Sequence, residues 1–187
     1  QFHRTGGVGF RGSGSATPQR SLSNTELGQR VETSDDWIRS RTGIAARRVI
    51  GADESLGELS GLAAERALAM AGWSADSLDL ILLATSTPDD LFGSAPRLQA
   101  RIGAVNAAAF DLTAACSGFL FAVVTAAQYL RSGAMHRILV VGADQLSRWV
   151  DWDDRRSCVL FGDAAGAVVI EASKEQDDLQ GFLLRSD

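Results

Sequence analysis

Three apolar runs limit what this chain can fold into. They are Leu78–Thr87 (LDLILLATST), Ala107–Leu112 (AAAFDL) and Arg137–Asp144 (RILVVGAD). Runs with so few polar residues are typical of strands that are buried on both faces. Segments with helical spacing separate the runs, and strands that alternate with helices predict an α/β layered fold with a mixed sheet.

Capping residues mark the expected helix boundaries. Ser23 with Glu26, and Ser55 with Glu58, have the spacing of capping boxes. Ser34 precedes a second short helix, whose two leading aspartates suit the positive end of the helix dipole. Glycines are expected to end three helices, and these are Gly43, Gly72 and Gly103.

Further strands are predicted toward the two ends of the chain. Gly6–Pro18 is interpreted as a first strand that runs into a turn. Residues 157–173 (SCVLFGDAAGAVVIEAS) predict two strands that are broken at Gly162 and Asp163. Residues 179–186 (LQGFLLRS) are expected to begin one more strand.

Composition argues against several classes of function. The chain has 187 residues and a net charge of −5, which gives no electrostatic support for a nucleic-acid partner. No apolar run reaches the ~18 residues of a membrane span, and no secretory signal is visible. The two cysteines suggest neither a disulfide framework nor a zinc site. We therefore expect a cytoplasmic protein without a metal or cofactor.

Cys116 stands where a predicted strand meets a predicted helix, Ser117–Gly133. That helix is apolar almost all round and is interpreted as a helix buried in the core. A thiol at a helix N-terminus is favoured as the nucleophilic thiolate, and the small neighbouring residues leave room for a substrate. A buried packing role is equally open, because free cysteine is among the most often buried residues. Neither His3 nor His136 offers an evident general base. Cys158, inside a predicted strand, is interpreted as a packing residue.

Four longer motifs carry a resemblance to a known family. They are GSGSATP (12–18), TSDDWIRSRTGI (33–44), FDLTAACSGFLFA (110–122) and SRWVDWDDRRSCVLFGDAAGAVV (147–169). In order and spacing they resemble β-ketoacyl-acyl-carrier-protein synthase III, a condensing enzyme of the thiolase superfamily. The resemblance implies a thiolase-like α/β fold with one βαβαβαββ half, a mixed sheet and a buried central helix after the nucleophilic cysteine.

The implied reaction starts type II fatty-acid synthesis. Cys116 corresponds to the family's acyl-accepting cysteine, which takes a short acyl group, usually acetyl, from acyl-CoA. Malonyl-acyl-carrier protein then loses CO₂, and its carbanion attacks the thioester. No cofactor is implied, because coenzyme A enters as part of the substrate.

The resemblance also implies seven substrate-binding residues. Trp37 and Arg41 correspond to residues on either side of the CoA adenine, with Thr33 as a polar contact nearby. The remaining four are a second CoA-contacting arginine (Arg155), two residues of the acyl pocket (Leu146, Phe161) and a residue that closes the partner's pocket across a dimer interface (Phe92). Without the resemblance, Trp37 could be a helix anchor, Arg155 a solvated charge and Phe161 plain core.

The family chain is nearly twice as long, so residues 1–187 are interpreted as its N-terminal half with the C-terminal half absent. The catalytic histidine and asparagine belong to that second half, and we expect this piece alone not to complete the condensation. Two alternatives are a related synthase of polyketide or quinolone-type biosynthesis and a truncated or split non-catalytic subunit. The family also implies a homodimer through strand 107–112.

One position departs from the family pattern. The family usually has GDGAG where this chain has GDAAG, so Ala164 replaces the middle glycine. If that position needs a positive φ, the alanine costs ~1 kcal/mol and a local adjustment is expected.

Overall fold

The structure, a computed structural model, describes residues 6–185, so His3 lies outside the described residues. The strands are β1 (Gly7–Ala16), β2 (Ser21–Ser23), β3 (Ala46–Arg48), β4 (Leu80–Ala84), β5 (Ala108–Leu112), β6 (Arg137–Gln145) and β7 (Asp163–Ser173). The helices are α1 (Asn24–Gly28), α2 (Asp35–Thr42), α3 (Leu56–Ala71), α4 (Ala95–Ile102) and α5 (Gly118–Arg131).

Five strands form one mixed sheet in the order β1-β7-β6-β4-β5. β4 pairs in parallel with both β5 and β6, whereas β7 is antiparallel to β6 and to β1. The predicted mixed α/β sheet is therefore confirmed. With α1, α2 and the small β2–β3 sheet inserted before α3, the order of the main elements is βαβαβαββ.

Helices cover both faces of the sheet, so the interior strand β4 is buried on both sides. Ile81 and Leu83 of β4 point into a core with α3 and α4. Leu80 and Leu82, on the opposite face, pack in a second core with α5. All five residues of β4 are buried, as its apolar run predicts.

α3 approaches β1 closely because two glycines face it. A Cβ on Gly14 would lie 2.2 Å from the Ala63 carbonyl oxygen, and one on Gly12 would lie 2.3 Å from that of Ala67. These are helix backbone atoms, so no side-chain rotation could make room. The glycines of β1 thus set the distance between the first strand and its covering helix.

The predicted helix boundaries are confirmed with one correction. Ser23 and Glu26 form a complete capping box, and Gly43, Gly72 and Gly103 end their helices in the left-handed conformation. Ser55 accepts the N–H of Glu58, but the Glu58 carboxylate accepts hydrogen bonds from Arg101 of α4 at 3.0 and 3.1 Å. A salt bridge between helices thus takes the place of the second capping-box bond.

Three sequence predictions are wrong in part. Residues 157–162 form turns rather than a strand, so only β7 of the two expected strands exists. Residues 179–185 form no strand. α5 is buried on the face toward the sheet, but Leu120 on its other side is 63% exposed. The helix therefore has one buried face and one exposed face, although its sequence is apolar on both.

Candidate active site

Cys116 lies at the junction between β5 and α5. Residues Ala115–Ser117 form one turn of 3-10 helix directly before α5, and the Cys116 side chain is exposed. Ser117 donates its backbone N–H to the Ala114 carbonyl at 3.1 Å, and Gly118 donates to Ala115. The N–H of Cys116 precedes these first bonds of the turn, so it lies among the N–H groups that a helix start presents.

Ala115 gives the turn its shape. Its φ of 47° makes it the one non-glycine residue with a positive φ among residues 6–185. The left-handed region is unfavourable for a residue with a Cβ, and such strain is held only where the surrounding structure enforces it. The strained residue stands directly before the thiol, so the chain turns sharply at Cys116.

A cavity of about 480 Å³ opens beside the thiol. Glycine and alanine residues make up most of its wall, so few side-chain atoms fill the space next to the sulfur. Its lining residues are Gly14, Ala84, Ala115, Cys116, Phe119, Gly142, Ala143, Asp144, Gly162, Ala164, Gly166, Ala167 and Val168. Cys116 is therefore placed as a nucleophile needs to be, facing a space that can hold a substrate.

Asp144 is the acidic residue of this wall, and it was not among the predicted site residues. Its carboxylate accepts the Ser86 N–H at 2.7 Å and the hydroxyls of Thr85 and Thr87, both at 3.2 Å. These bonds hold the loop after β4 against the end of β6. A carboxylate at the end of a buried apolar run was the available signal, since strand ends of this kind gather at one edge of a sheet.

Ala164 lies in this wall without strain. It pairs with Asp144 in the β6–β7 ladder, and its φ is not among the positive values of the described residues. The expected local adjustment is therefore not needed, because this strand position accepts an L side chain.

Trp37 and two arginines form a second cluster. The guanidinium carbon of Arg41 lies 4.5 Å from the Trp37 ring centroid, and that of Arg155 lies 5.0 Å from it. Arg41 follows Trp37 by one helical turn on α2, whereas Arg155 comes from the turns before β7 and donates to the Glu32 carbonyl at 2.8 Å. Such planar cations on an indole form a surface on which a flat aromatic base can stack.

Thr33 adds an unused polar group close in sequence to this cluster. Its hydroxyl oxygen is buried and has no hydrogen-bond partner within residues 6–185. A buried hydroxyl without a partner is unfavourable, so a ligand group could satisfy it. The structure thus brings Trp37, Arg41 and Arg155 together and leaves Thr33 available.

The other predicted site residues are placed differently. Leu146 and Phe161 are half-buried, but neither is among the residues that line the cavity beside Cys116. Phe161 directly precedes Gly162, which does line it. Phe92 is 89% exposed on the loop between β4 and α4, together with Leu91. These three roles stay predictions.

Cys158 is a packing residue, as predicted, although it lies in a turn and not in a strand. Its side chain is fully buried with Leu27, Ile38 and Val159. Burial raises the pKa of the Cys158 thiol, and the nearby Arg47 guanidinium partly opposes that rise. The two thiols therefore differ: Cys116 is accessible, and Cys158 is enclosed and kept in its neutral form.

The described residues contain neither a metal-binding cluster nor a membrane-spanning helix. Across residues 6–185, no cluster of three or more His, Cys, Asp or Glu side chains is arranged to hold a metal ion. None of the described helices has the length and hydropathy to cross a lipid bilayer.

A mixed sheet between two helical layers, with a cysteine at the strand–helix junction, defines a thiolase-like α/β fold. Solved structures share it. The 3-oxoacyl-acyl-carrier-protein synthase III of Aquifex aeolicus VF5 superposes with a TM-score of 0.88 at 45% identity, over 90% of this chain and 55% of that chain. The enzyme of the same name from Pseudomonas aeruginosa PAO1 gives 0.84 at 40% identity, over 94% and 53%.

Sequence comparisons agree with these structures. The family model described as 3-oxoacyl-acyl-carrier-protein synthase III matches residues 110–187. A β-ketoacyl-acyl-carrier-protein synthase III of Prochlorococcus marinus (strain MIT 9313) is 72% identical over 97% of this chain and 54% of its own length. The chain is similar to these proteins over nearly its whole length, and it spans about half the length of the curated relatives it matches.

Proposed function

We propose that this chain forms the N-terminal, nucleophile-bearing half of a β-ketoacyl-acyl-carrier-protein synthase III. The observation that carries the proposal is Cys116, exposed at a strained strand–helix turn beside a cavity of about 480 Å³. The names of relatives at up to 72% identity support it. The free state of both cysteines suits the reducing cytoplasm, where we place the reaction.

The first stage is acyl transfer. The sulfur of Cys116 attacks the carbonyl carbon of a short acyl-CoA, and a new C–S bond forms. The Cys116 backbone N–H is placed to donate to the oxygen that becomes negative. The C–S bond to coenzyme A then breaks, and the leaving thiolate takes up the proton that the Cys116 thiol has lost.

The second stage is condensation. Malonyl-acyl-carrier protein loses CO₂, and the resulting carbanion attacks the acyl carbon on Cys116. A C–C bond forms, the C–S bond breaks, and the product leaves as a 3-oxoacyl-carrier protein. The histidine and asparagine that assist this stage in the family belong to the second half of the fold, so the 187-residue piece alone should not turn over.

Trp37, Arg41 and Arg155 are proposed to bind the nucleotide end of acyl-CoA. An adenine ring is flat and aromatic, and the adjoining phosphates are anionic, so an indole flanked by two guanidinium groups matches both. Thr33 would offer its unpartnered hydroxyl to the same ligand.

We also propose a homodimer that is built through β5. This strand ends the sheet and leaves one row of backbone groups without a strand partner. The exposed side chains of Leu91 and Phe92 are on the neighbouring loop and suit a partner's surface.

Mass spectrometry tests the function directly. Protein extended to the length of its relatives is incubated with acetyl-CoA, and the Cys116 peptide should gain the mass of one acetyl group. Cys116→Ala should gain none, while Cys158→Ala should be labelled as the wild type is. Adding malonyl-acyl-carrier protein should then yield 3-oxobutyryl-carrier protein. A different condensation product would point to a related synthase, and no acyl-enzyme at all would refute the proposal.

A further inference from the structure

Asn24 and Arg47 form a buried polar pair between four segments of the chain. Asn24 is 1% exposed and Arg47 is 5% exposed. The Arg47 guanidinium donates to the Asn24 side-chain oxygen at 2.7 Å, to the Val159 carbonyl at 3.2 Å and to the Leu22 carbonyl at 3.3 Å. The pair therefore joins β2, β3, α1 and the turns that precede β7.

On one side the pair connects to the helix that carries Trp37. The Asn24 amide donates to the Asp35 carboxylate at 2.8 Å and to the Ile44 carbonyl at 2.7 Å. Asp35 begins α2 and Ile44 follows the Gly43 that ends it, so one amide group holds the chain at both ends of this short helix. The bond from Asn24 is the main cause that lowers the pKa of Asp35, which shows that it favours the charged carboxylate.

On the other side the pair connects to the turns that carry Arg155. Arg47 bonds to Val159, and the Cys158 N–H in turn donates to the Asp154 carbonyl at 3.0 Å. Arg155 is the next residue along the chain. The two parts of the Trp37 cluster come from segments that are more than a hundred residues apart. Arg47 connects them, because it bonds to Val159 directly and reaches α2 through Asn24.

Arg47 is an unfavourable residue for this place if packing alone matters. No carboxylate is bonded to it, and its Nε is buried without a partner in the described residues. Desolvation lowers the pKa of its guanidinium. An apolar side chain would fill the space without this desolvation cost, so what arginine adds is its set of directed hydrogen bonds.

We propose that Asn24 and Arg47 are positioning residues that fix α2 against the Arg155 turn and thereby set the affinity for the nucleotide end of acyl-CoA. This inference rests on the proposed function, since it assigns the Trp37 cluster to that ligand. Neither residue touches the cavity beside Cys116. Their loss should therefore weaken nucleotide binding and leave the chemistry at the thiol unchanged.

The test compares two substrates in protein extended to the length of its relatives. Acetyl-CoA carries the nucleotide, whereas acetyl-pantetheine lacks it and keeps the same thioester. For Asn24→Leu we expect the KM for acetyl-CoA to rise about tenfold, because small misplacements of binding groups are costly, with kcat little changed. The kinetics with acetyl-pantetheine should equal those of the wild type.

Two further variants keep the test decisive. Asn106→Leu is the matched control, because the Asn106 side chain is exposed and bonds to the Asp76 carbonyl, outside the Asn24–Arg47 network. This variant should leave the kinetics with both substrates unchanged. Asp35→Asn removes the charge that Asn24 holds, at a half-exposed position that should not unfold the chain, and it should raise the acetyl-CoA KM less than Asn24→Leu does.

The outcomes separate the two proposals. If the wild type forms no acyl-enzyme from either substrate, the proposed function fails. If the wild type reacts but Asn24→Leu and Asp35→Asn slow both substrates equally, or slow neither, the positioning role is refuted.

Discussion

Replacing Gly14 by alanine should destabilise the protein through the contact between β1 and α3. The new Cβ would lie 2.2 Å from the Ala63 carbonyl oxygen, 2.7 Å from the Ala67 nitrogen and 2.7 Å from the Arg66 Cβ. Two of these three atoms belong to the helix backbone. α3 must therefore move away from the sheet, which no rotamer change could avoid.

The size of the effect follows from that distance. Ordinary van der Waals contact begins near 3.4 Å, so the helix must retreat by roughly 1 Å. Overpacking of this kind costs about 1–3 kcal/mol. With a urea m-value of about 2 kcal/mol per M, the unfolding midpoint should fall by roughly 1 M.

Gly166→Ala is the matched control for this experiment. Gly166 pairs with Ser15 in the same β1–β7 ladder, and a Cβ there meets nothing within 4 Å. Its midpoint should equal or slightly exceed that of the wild type, because alanine restricts the unfolded chain. Urea unfolding followed by circular dichroism measures all three proteins. If Gly14→Ala unfolds at the same urea concentration as Gly166→Ala, close packing of α3 on β1 is not the reason for the glycine.

Three other predictions can be checked on the same preparations. Iodoacetamide should alkylate exposed Cys116 at least about tenfold faster than buried Cys158, with the difference abolished in urea, as peptide mass spectrometry would show. Ala115→Gly should match or exceed the wild-type melting temperature because it relieves the positive φ, while Ala115→Val should lower it. Because the pKa of Asp35 is lowered in the folded protein, its contribution to stability is present above pH ~4 and is lost as the pH falls through the folded-state pKa. Asp35→Asn should therefore lose less stability than the wild type between pH 6 and pH 3. Urea unfolding midpoints at the two pH values measure this difference.

Local signals were sufficient for most of the fold. Ser23, Ser34 and Gly43 act through bonds within a few residues, so their capping roles could be predicted from spacing alone. The longer run Leu78–Thr87, set between segments with helical spacing, predicted β4 in the same way, and all five residues of that strand are buried.

Long-range packing decided what the sequence left open. The run around Cys158 has the composition of a strand, but its side chains fill the space beside α1 and α2, and the chain turns there. Short apolar runs of this length do not distinguish a strand from other buried segments. Next to Arg48 in the sequence, Arg47 resembles a surface charge. In β3 the two side chains point to opposite faces of the strand, and Arg47 is the buried one.

The site divides in the same way. The contact between Trp37 and Arg41 follows from helical spacing, and the exposed position of Cys116 follows from the strand–helix junction. The approach of Arg155 to Trp37 could be expected only from the family resemblance, because no local rule relates residues so far apart.

The pairing of β1 with β7 has a consequence for how the chain is made. Gly7 pairs with Ser173 and Ala16 pairs with Ala165, so β1 can form its ladder only after about 150 further residues have been synthesised. At typical rates of synthesis this interval is roughly 8–30 s. During that time the β1 segment has no partner strand. Its glycines disfavour the β-rich aggregates that an unpaired segment can form. The glycines that allow α3 to pack closely on β1 in the folded protein thus also disfavour aggregation of the nascent chain before folding is complete.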